Sequence, residues 1–196
     1  MNIPTHQDPI TTVNAWLDAA ATSEPLNPTA AALATVADSG APSLRMVLLK
    51  HVDSDGFVFY TNLDSRKGRE LAKDPRASLC LYWKSLGRQV RVEGTTRPVS
   101  EAEADAYFAS RERGSQIGAW ASRQSAELKD RADLEAAVAD VAGRFAGHDV
   151  PRPAFWSGYR LVPERIELWW ELPSRLHERV VFTRDNGAWA THQLYP

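Results

Sequence analysis

Three short turn signals, each set between runs of strand-forming residues, constrain this chain most: Asp38-Ser39-Gly40-Ala41-Pro42, Asp53-Ser54-Asp55-Gly56 and Asp185-Asn186-Gly187. A connection this short joins strands only antiparallel, because a parallel return needs a crossover of a dozen or more residues. Asn-Gly in particular accepts the positive φ of a tight hairpin. The apolar run Ser43 to Val52 therefore reads as a buried strand hairpinned to Phe57–Thr61, and Arg175–Thr183 as a strand hairpinned to Ala188–Leu194. Ala31–Ala37 fits helix or strand by pattern alone, and the turn after it favours strand. Ala77–Trp83 and Arg88–Val99 flank the turn Lys84–Gly87, and Trp156–Val162 and Arg165–Leu172 read as two further strands.

Helical signals fall between these strands. Asp8-Pro9 has the form of an N-cap with proline in the first turn, followed by Ile10, Val13, Trp16, Leu17 and Ala20 at helical spacing. Ser65 caps a short helix that ends before Pro75, and Ser100 with Glu103 makes a capping box. Gly114 interrupts the helix that follows, with Ser115 as a cap for a further one through Ala121. Leu134, Val138, Val141 and Phe145 mark a long helix closed by Gly147. Early hairpins, central helices and a closing meander predict an α+β fold: an antiparallel, Greek-key-like barrel with helices packed outside.

The 196 residues carry no linker or repeat, so one domain spanning 1–196 is expected, with 1–8 as a mobile lead-in. A net charge of -2 provides no global field for nucleic acid or an acidic membrane, so any anion site must be local. Cys80 is the only cysteine, which excludes an internal disulfide and a cysteine-ligated zinc. The start has no signal-peptide pattern and no apolar run is long enough to span a bilayer, so a cytoplasmic protein is expected. His6, His51, His148, His177 and His192 form no metal-ligand spacing, and no P-loop, G-x-S-x-G or G-x-G-x-x-G occurs.

Several groups of residues could bind a ligand. Ser65-Arg66-Lys67-Gly68 places two cations in a helix's first turn, where the dipole disfavours them unless an anion is bound. An exposed basic turn is the competing reading. Arg45 and Lys50 are the only charges in their apolar strand. Five residues apart, they fall on opposite faces unless a bulge intervenes. Tyr107, Arg111 and Ser115 are spaced by four and on a continuous helix would line one face, either as a phosphate clamp or, the plainer reading without context, as a solvated helix face. Arg175, His177 and Arg179 share one face of a regular strand and suit an anionic or planar ligand better than a core, although on the triplet alone a solvated strand face is the plainer reading. Gln89 amid Val90 and Val92 could read a heterocycle edge, although a satisfied structural amide is the plainer reading. Gln124, Ser125 and Trp169 say little alone.

Taken in order, RMVLLK (Arg45 to Lys50), FYTN (Phe59 to Asn62), SRKG (Ser65 to Gly68), RQVRVEG (Arg88 to Gly94), YFASRERGSQIGAWAS (Tyr107 to Ser122), RQS (Arg123 to Ser125) and RLHER (Arg175 to Arg179) resemble the pyridoxamine 5'-phosphate oxidase family. The resemblance runs from about Asp8 to the C-terminus. It implies an FMN-binding split barrel and a homodimer with each flavin at the interface. It also implies oxidation of pyridoxamine or pyridoxine 5'-phosphate to pyridoxal 5'-phosphate, with oxygen consumed and hydrogen peroxide released. Carried over by motif, the FMN contacts are Arg45, Met46, Val47, Leu48, Leu49, Lys50, Tyr60, Thr61, Arg66, Lys67, Gln89, Gln124, Ser125, Trp169 and Arg179. The substrate contacts are Lys50, Tyr107, Arg111, Ser115, Arg175, Leu176 and His177, with Arg175 and His177 as the catalytic pair; no metal is implied. Two departures stand out. The eight residues before Pro9 lack the Arg and Tyr of the family's N-terminal lid, and Gln193-Leu194-Tyr195-Pro196 replaces the usual Arg-Leu-x-Pro. A flavin oxidase of a phenazine-precursor ring and a non-catalytic flavin-binding split barrel remain as alternatives.

Overall fold

The computed structural model describes residues 3–196. Eight strands, β1 Ala30–Val36, β2 Pro42–Asp53, β3 Gly56–Asn62, β4 Arg76–Trp83, β5 Arg88–Pro98, β6 Trp156–Trp170, β7 Glu178–Asp185 and β8 Ala188–Gln193, form one antiparallel sheet. Their order is β3-β2-β1-β4-β5-β6-β7-β8, and β3 also pairs with β6. That extra pairing closes the first six strands into a barrel, and β7 and β8 continue from β6 as a flap. The 3-2-1-4 order, a meander with the fourth strand returning beside the first, is a Greek key.

The turns behave as their residues dictate. Asn186 and Gly187 both have positive φ (48° and 86°), the requirement of a type I′ hairpin, and Asp185 pairs with Ala188 across it. Asp53 Oδ1 accepts the N–H groups of Asp55 and Gly56, holding the β2–β3 turn. The segment expected as two strands, 156–162 and 165–172, is instead the single strand β6. Pro163 is tolerated because it lies between partners. Pairing with β3 ends at Leu161 and pairing with β7 begins at Arg165. On the β5 side a register shift after Glu93 absorbs it, and a Cβ on Gly94 would lie 2.1 Å from the Val162 carbonyl oxygen.

Five helices pack outside: α1 Pro9–Ser23, α2 Arg66–Lys73, α3 Glu101–Ala109, α4 Arg113–Ala121 and α5 Arg131–Arg144. Asp8 caps α1, Ser65 caps α2, and Ser100 with Glu103 completes the capping box of α3. Glu112, not Ser115, is the N-cap of α4, so Gly114 lies inside that helix. The core fills the barrel with Leu33, Phe57, Phe59, Leu81, Val92, Leu161 and Leu168, against which α1 packs Ile10, Val13 and Trp16. A satellite core of Phe108, Ile117, Phe145 and Trp156 holds α3 to α5 against β6. Of the lead-in 1–8, Met1 and Asn2 lie outside the described residues. Ile3 is buried, with its N–H donating to Glu178 Oε1 at 3.0 Å.

Candidate active site

A cavity of about 700 Å³ opens between β2, the end of β3, the start of α2 and the α3–α4 corner. Strand β2 contributes Met46, Val47, Leu48 and Lys50 to its lining. The strand expected to be buried has an exposed outer face, with Leu44 at 70% and Met46 at 62%. Its neighbours in sequence point inward, and Leu49 is buried in the barrel core. Lys50 follows Met46 and Leu48 on that exposed face and lines the cavity, at a register shift between Leu49 and His51. Arg45 faces the other way, as parity predicts, and does not line the cavity. Its guanidinium donates to the Leu33 carbonyl oxygen at 3.3 Å, to the Thr35 and Ser43 hydroxyls, and to Glu70 Oε2 at 2.9 Å.

Lys67 carries the cavity's buried charge. The capped start of α2 fixes it, and Gly68 allows α2 to sit close, since a Cβ there would lie 2.1 Å from the Leu63 carbonyl oxygen. Lys67 is 9% exposed, and its Nζ donates to Thr61 Oγ1 and Gln124 Oε1 at 3.1 Å each and to Ser65 Oγ at 3.4 Å. All three partners are neutral. Burial, aided by the positive field of Arg45, pushes the Lys67 pKa down against the opposing pull of Glu70. Arg66, expected beside it on a phosphate, points elsewhere: its Nε donates to Glu70 Oε1 at 2.9 Å, and it does not line the cavity.

Glu70 is the hub behind this wall. It is buried and accepts from the Thr35 hydroxyl, Arg45 and Arg66. Burial alone would raise its pKa, but the hydrogen bonds from Thr35, Arg66 and Arg45 outweigh it and hold the carboxyl at about 2. A carboxylate depressed on folding adds stability above its ordinary pKa, and that stability is lost as pH falls through the folded value. Glu70→Gln is therefore expected to lower the urea midpoint at pH 7, with the gap closing as pH drops from about 5 toward 2. An equal loss at pH 3 and pH 7 would mean that the charge is not what holds these arginines.

The opposite wall is aromatic. Tyr60 stacks on Tyr107 (centroids 4.0 Å, 16°) and on Trp156 (5.4 Å, 6°). Gly158 faces Tyr60 across the β3–β6 pair, where a Cβ would lie 2.7 Å from the ring. Arg111 lies over Trp156 at 4.7 Å, and its Nη1 is buried without a hydrogen-bond partner. Tyr107, Arg111 and Ser115 do not share one helix, because α3 ends at Ala109 and α4 starts at Arg113. They still line the same cavity, and Lys50 Nζ lies 5.9 Å from the Tyr107 ring centre. Gln116 ties the corner by donating to the carbonyl oxygens of Phe108 (2.9 Å) and Ala109 (3.4 Å).

The remaining predicted residues form a second group. Gln89 on β5 pairs with Trp169 on β6, which pairs with Arg179 on β7, so the three make a row across the sheet. Arg175 and His177 do not share a strand face with Arg179, because β7 begins only at Glu178. Pro173 instead starts a turn in which Ser174 and Arg175 both have left-handed φ (60° and 62°). Such non-glycine residues cost of order 1–3 kcal/mol each and concentrate at functional sites. His177 packs on Trp169 (4.7 Å between ring centres), and its Nδ1 accepts the Leu172 N–H at 3.2 Å, so the neutral ring carries its proton on Nε2. Arg179 donates through Nε and Nη2 to Glu167 and through Nη1 to the Tyr195 carbonyl oxygen. None of Gln89, Trp169, Arg175, Leu176, His177 or Arg179 lines the main cavity. Leu49 is in the barrel core, and Ser125 (φ 70°) lines a smaller cleft beside it with Arg123 and Leu128. Trp156, Glu70 and Glu167 were not anticipated. An i, i+4 pairing with Arg66 was the one local signal for Glu70. Among the described residues, no group of three His, Cys, Asp or Glu side chains is placed to hold a metal, and no helix is long and apolar enough to cross a membrane.

Residues 17–145 match the family model for pyridoxamine 5'-phosphate oxidase, and residues 156–196 match that for the pyridoxine 5'-phosphate oxidase C-terminal dimerisation region. The chain is 57% identical over 189 residues to a pyridoxine/pyridoxamine 5'-phosphate oxidase of Sphingopyxis alaskensis, covering 96% of this chain and 88% of that protein. It is 56% identical over 195 residues to the enzyme of the same name from Rhodospirillum rubrum, covering 97% of each. Among solved structures, PhzG of Burkholderia lata, in complex with tetrahydrophenazine-1-carboxylic acid, superposes with a TM-score of 0.91 at 38% identity, covering 98% of this chain and 94% of that one. A pyridoxamine 5'-phosphate oxidase-related, FMN binding protein of Nostoc punctiforme shares the fold with a TM-score of 0.78 at 16% identity, over the full length of both. The barrel is thus the FMN-binding split barrel, and the chain belongs to the pyridoxamine 5'-phosphate oxidase family of enzymes.

Proposed function

We propose that this enzyme binds FMN and oxidises pyridoxamine 5'-phosphate or pyridoxine 5'-phosphate to pyridoxal 5'-phosphate, with oxygen as acceptor and hydrogen peroxide released. The observation that carries this reading is the cavity's charge balance. Lys67 is buried among neutral partners, and Arg111 keeps a buried Nη1 without any. Buried cations need anionic partners. A buried ammonium and a half-buried guanidinium with one unpartnered Nη1 in one cavity suit two phosphates, one on the cofactor and one on the substrate.

When bound, FMN would supply the two-electron oxidation of the substrate's amine- or hydroxyl-bearing carbon and pass the electrons to oxygen; the alcohol gives the aldehyde directly, and the amine gives an imine that water hydrolyses to the aldehyde with release of ammonia. This chain's residues do the positioning. Lys67 with Thr61 and Gln124 would hold the flavin phosphate side. Met46, Val47, Leu48 and Tyr60, which line the cavity, would contact the rest of the cofactor. Arg66 would join them by giving up its bond to Glu70, and Ser125 follows Gln124 in the chain. Arg111, Ser115, Tyr107 and Lys50 would anchor the substrate phosphate away from the reacting carbon, which gains rate by orientation.

Gln89, Trp169, Arg175, Leu176, His177 and Arg179 would come from the partner subunit of a homodimer. Two observations support that division: they stand apart from the cavity, and the exposed Leu44, Met46 and Leu48 leave its β2 rim uncovered. The whole chain, 1–196, would act as one flavin-binding unit, with the partner completing each site.

The deciding experiment is oxygen uptake by the purified yellow protein with each phosphorylated vitamer, alongside direct detection of aldehyde and peroxide. A flavin-loaded protein that turns over neither vitamer would overturn the reading. The likeness to PhzG favours one second reading, oxidation of a reduced phenazine precursor. Turnover of a phosphate-free tricyclic substrate, unaffected by Arg111→Ala, would establish it instead.

A further inference from the structure

We infer that Glu167 is a positioning residue that aims Arg179 at the flavin; this rests on the reading of Arg179 as a flavin contact. Glu167 stands on β6 in the row next to Gln89–Trp169–Arg179, paired with Arg91 on β5 and Val181 on β7. It is 1% exposed even though it is not in the barrel core, because guanidinium groups cover it. Its Oε1 accepts both Nε and Nη2 of Arg179, at 2.9 and 2.7 Å. Its Oε2 accepts Arg165 Nη2 at 2.9 Å and Arg91 Nη1 at 3.4 Å. Glu93 closes the network by accepting from Arg165 Nη1 at 2.8 Å and Arg91 Nη2 at 3.4 Å.

The geometry leaves Arg179 little freedom. One edge of its planar guanidinium is held by Glu167, and Nη1 donates to the Tyr195 carbonyl oxygen at 3.2 Å. Three of the five N–H donors of an arginine are then engaged, leaving two for a ligand. Arg91, Arg165 and Arg179 face Glu93 and Glu167, so one positive charge is left over. That excess suits an electron-rich or anionic ligand edge. Burial alone would raise the Glu167 pKa, and the hydrogen bonds from Arg179 and Arg165 outweigh it, so the carboxylate stays charged. A charged, buried acceptor fully used by arginines fixes side-chain direction better than a solvated one.

The test is FMN binding to apoprotein, followed by quenching of flavin fluorescence, with the melting temperature of each apoprotein recorded. Glu167→Gln is expected to raise the Kd for FMN about tenfold, the scale of one charged hydrogen bond. Glu93→Gln lies in the same network without touching Arg179, and should leave the Kd within about twofold. In an Arg179→Lys background, adding Glu167→Gln should change the Kd no further, since a residue acting through another is not additive with it. If Glu167→Gln does not fold, Glu167→Asp, which keeps the charge and withdraws the oxygens by one methylene, is read the same way. An unchanged Kd, an equal loss in Glu93→Gln, or a full additive loss in the Arg179→Lys background overturns the inference. If Arg179→Lys itself binds FMN normally, the flavin role of Arg179 fails, and Glu167 has nothing to aim.

Discussion

Replacing Lys67 with methionine is expected to weaken FMN binding by about a hundredfold while leaving the apoprotein at least as stable as the parent. Each charged hydrogen bond contributes about 1.5–3 kcal/mol, and a tenfold change in affinity is about 1.4 kcal/mol. Lys67 is the buried cation of the cavity, and its partners Thr61, Ser65 and Gln124 carry no charge. Burial holds its pKa below the ordinary lysine value. The folded state thus disfavours the ammonium relative to the unfolded chain. Charged Lys67 costs stability below its folded pKa, and that cost is relieved as pH rises from the folded value toward the ordinary one. Methionine removes the cost and keeps the length. FMN affinity should fade over the same alkaline window as the ammonium loses its proton. Titration of apoprotein with FMN between pH 7 and 11, together with thermal melts, checks both statements. A Lys67→Met protein that binds FMN at parental affinity would place the flavin phosphate elsewhere.

Arg175→Lys should lower kcat by about a hundredfold with flavin content near normal, the scale on which small misplacements of a reacting group cost rate. A guanidinium is flat, permanently charged and weakly hydrated, and lysine keeps only the charge. The left-handed Ser174-Arg175 pair holds that plane out on a turn beside His177, clear of the regular strand. Arg179→Lys should behave oppositely, with flavin binding falling first and activity returning in excess FMN. Alike behaviour of the two variants would abolish the division between substrate and cofactor residues.

The same variants test the division between subunits. If each site takes its cavity from one subunit and its turn from the other, mixing inactive Lys67→Met and Arg175→Lys homodimers makes heterodimers with one intact site. Random exchange would restore on the order of a quarter of wild-type activity. No recovery after demonstrated exchange would mean that each chain builds its own site.

The local elements were legible because their causes are local. Asp8, Ser65 and Ser100 cap helices through their own side chains, and Asn186-Gly187 makes its turn through φ angles that few other pairs accept. The family motifs were legible for a similar reason, being contiguous stretches. What failed were expectations of regular continuation. Tyr107, Arg111 and Ser115 are brought together by a break between helices, not by helical period. Arg175 and His177 leave strand alternation because Pro173 opens a turn. Pro163 does not divide β6, because the partner strands change on either side of it.

By itself, the sequence determined the antiparallel hairpins, the helix starts, the opposite facing of Arg45 and Lys50, and the family. Tertiary structure decided which cations are free. Arg45 and Arg66 share Glu70, and Arg179 is paired with Glu167, carboxylates that come from elsewhere on the chain or from the far side of a helical turn. Lys67 is buried, and Arg111 has a buried Nη1, with no carboxylate hydrogen-bonded to either. A charge's partner depends on distance through space, which spacing along the chain does not encode. Which of several basic residues is left to meet a phosphate is therefore settled only when the barrel closes and its outer helices dock.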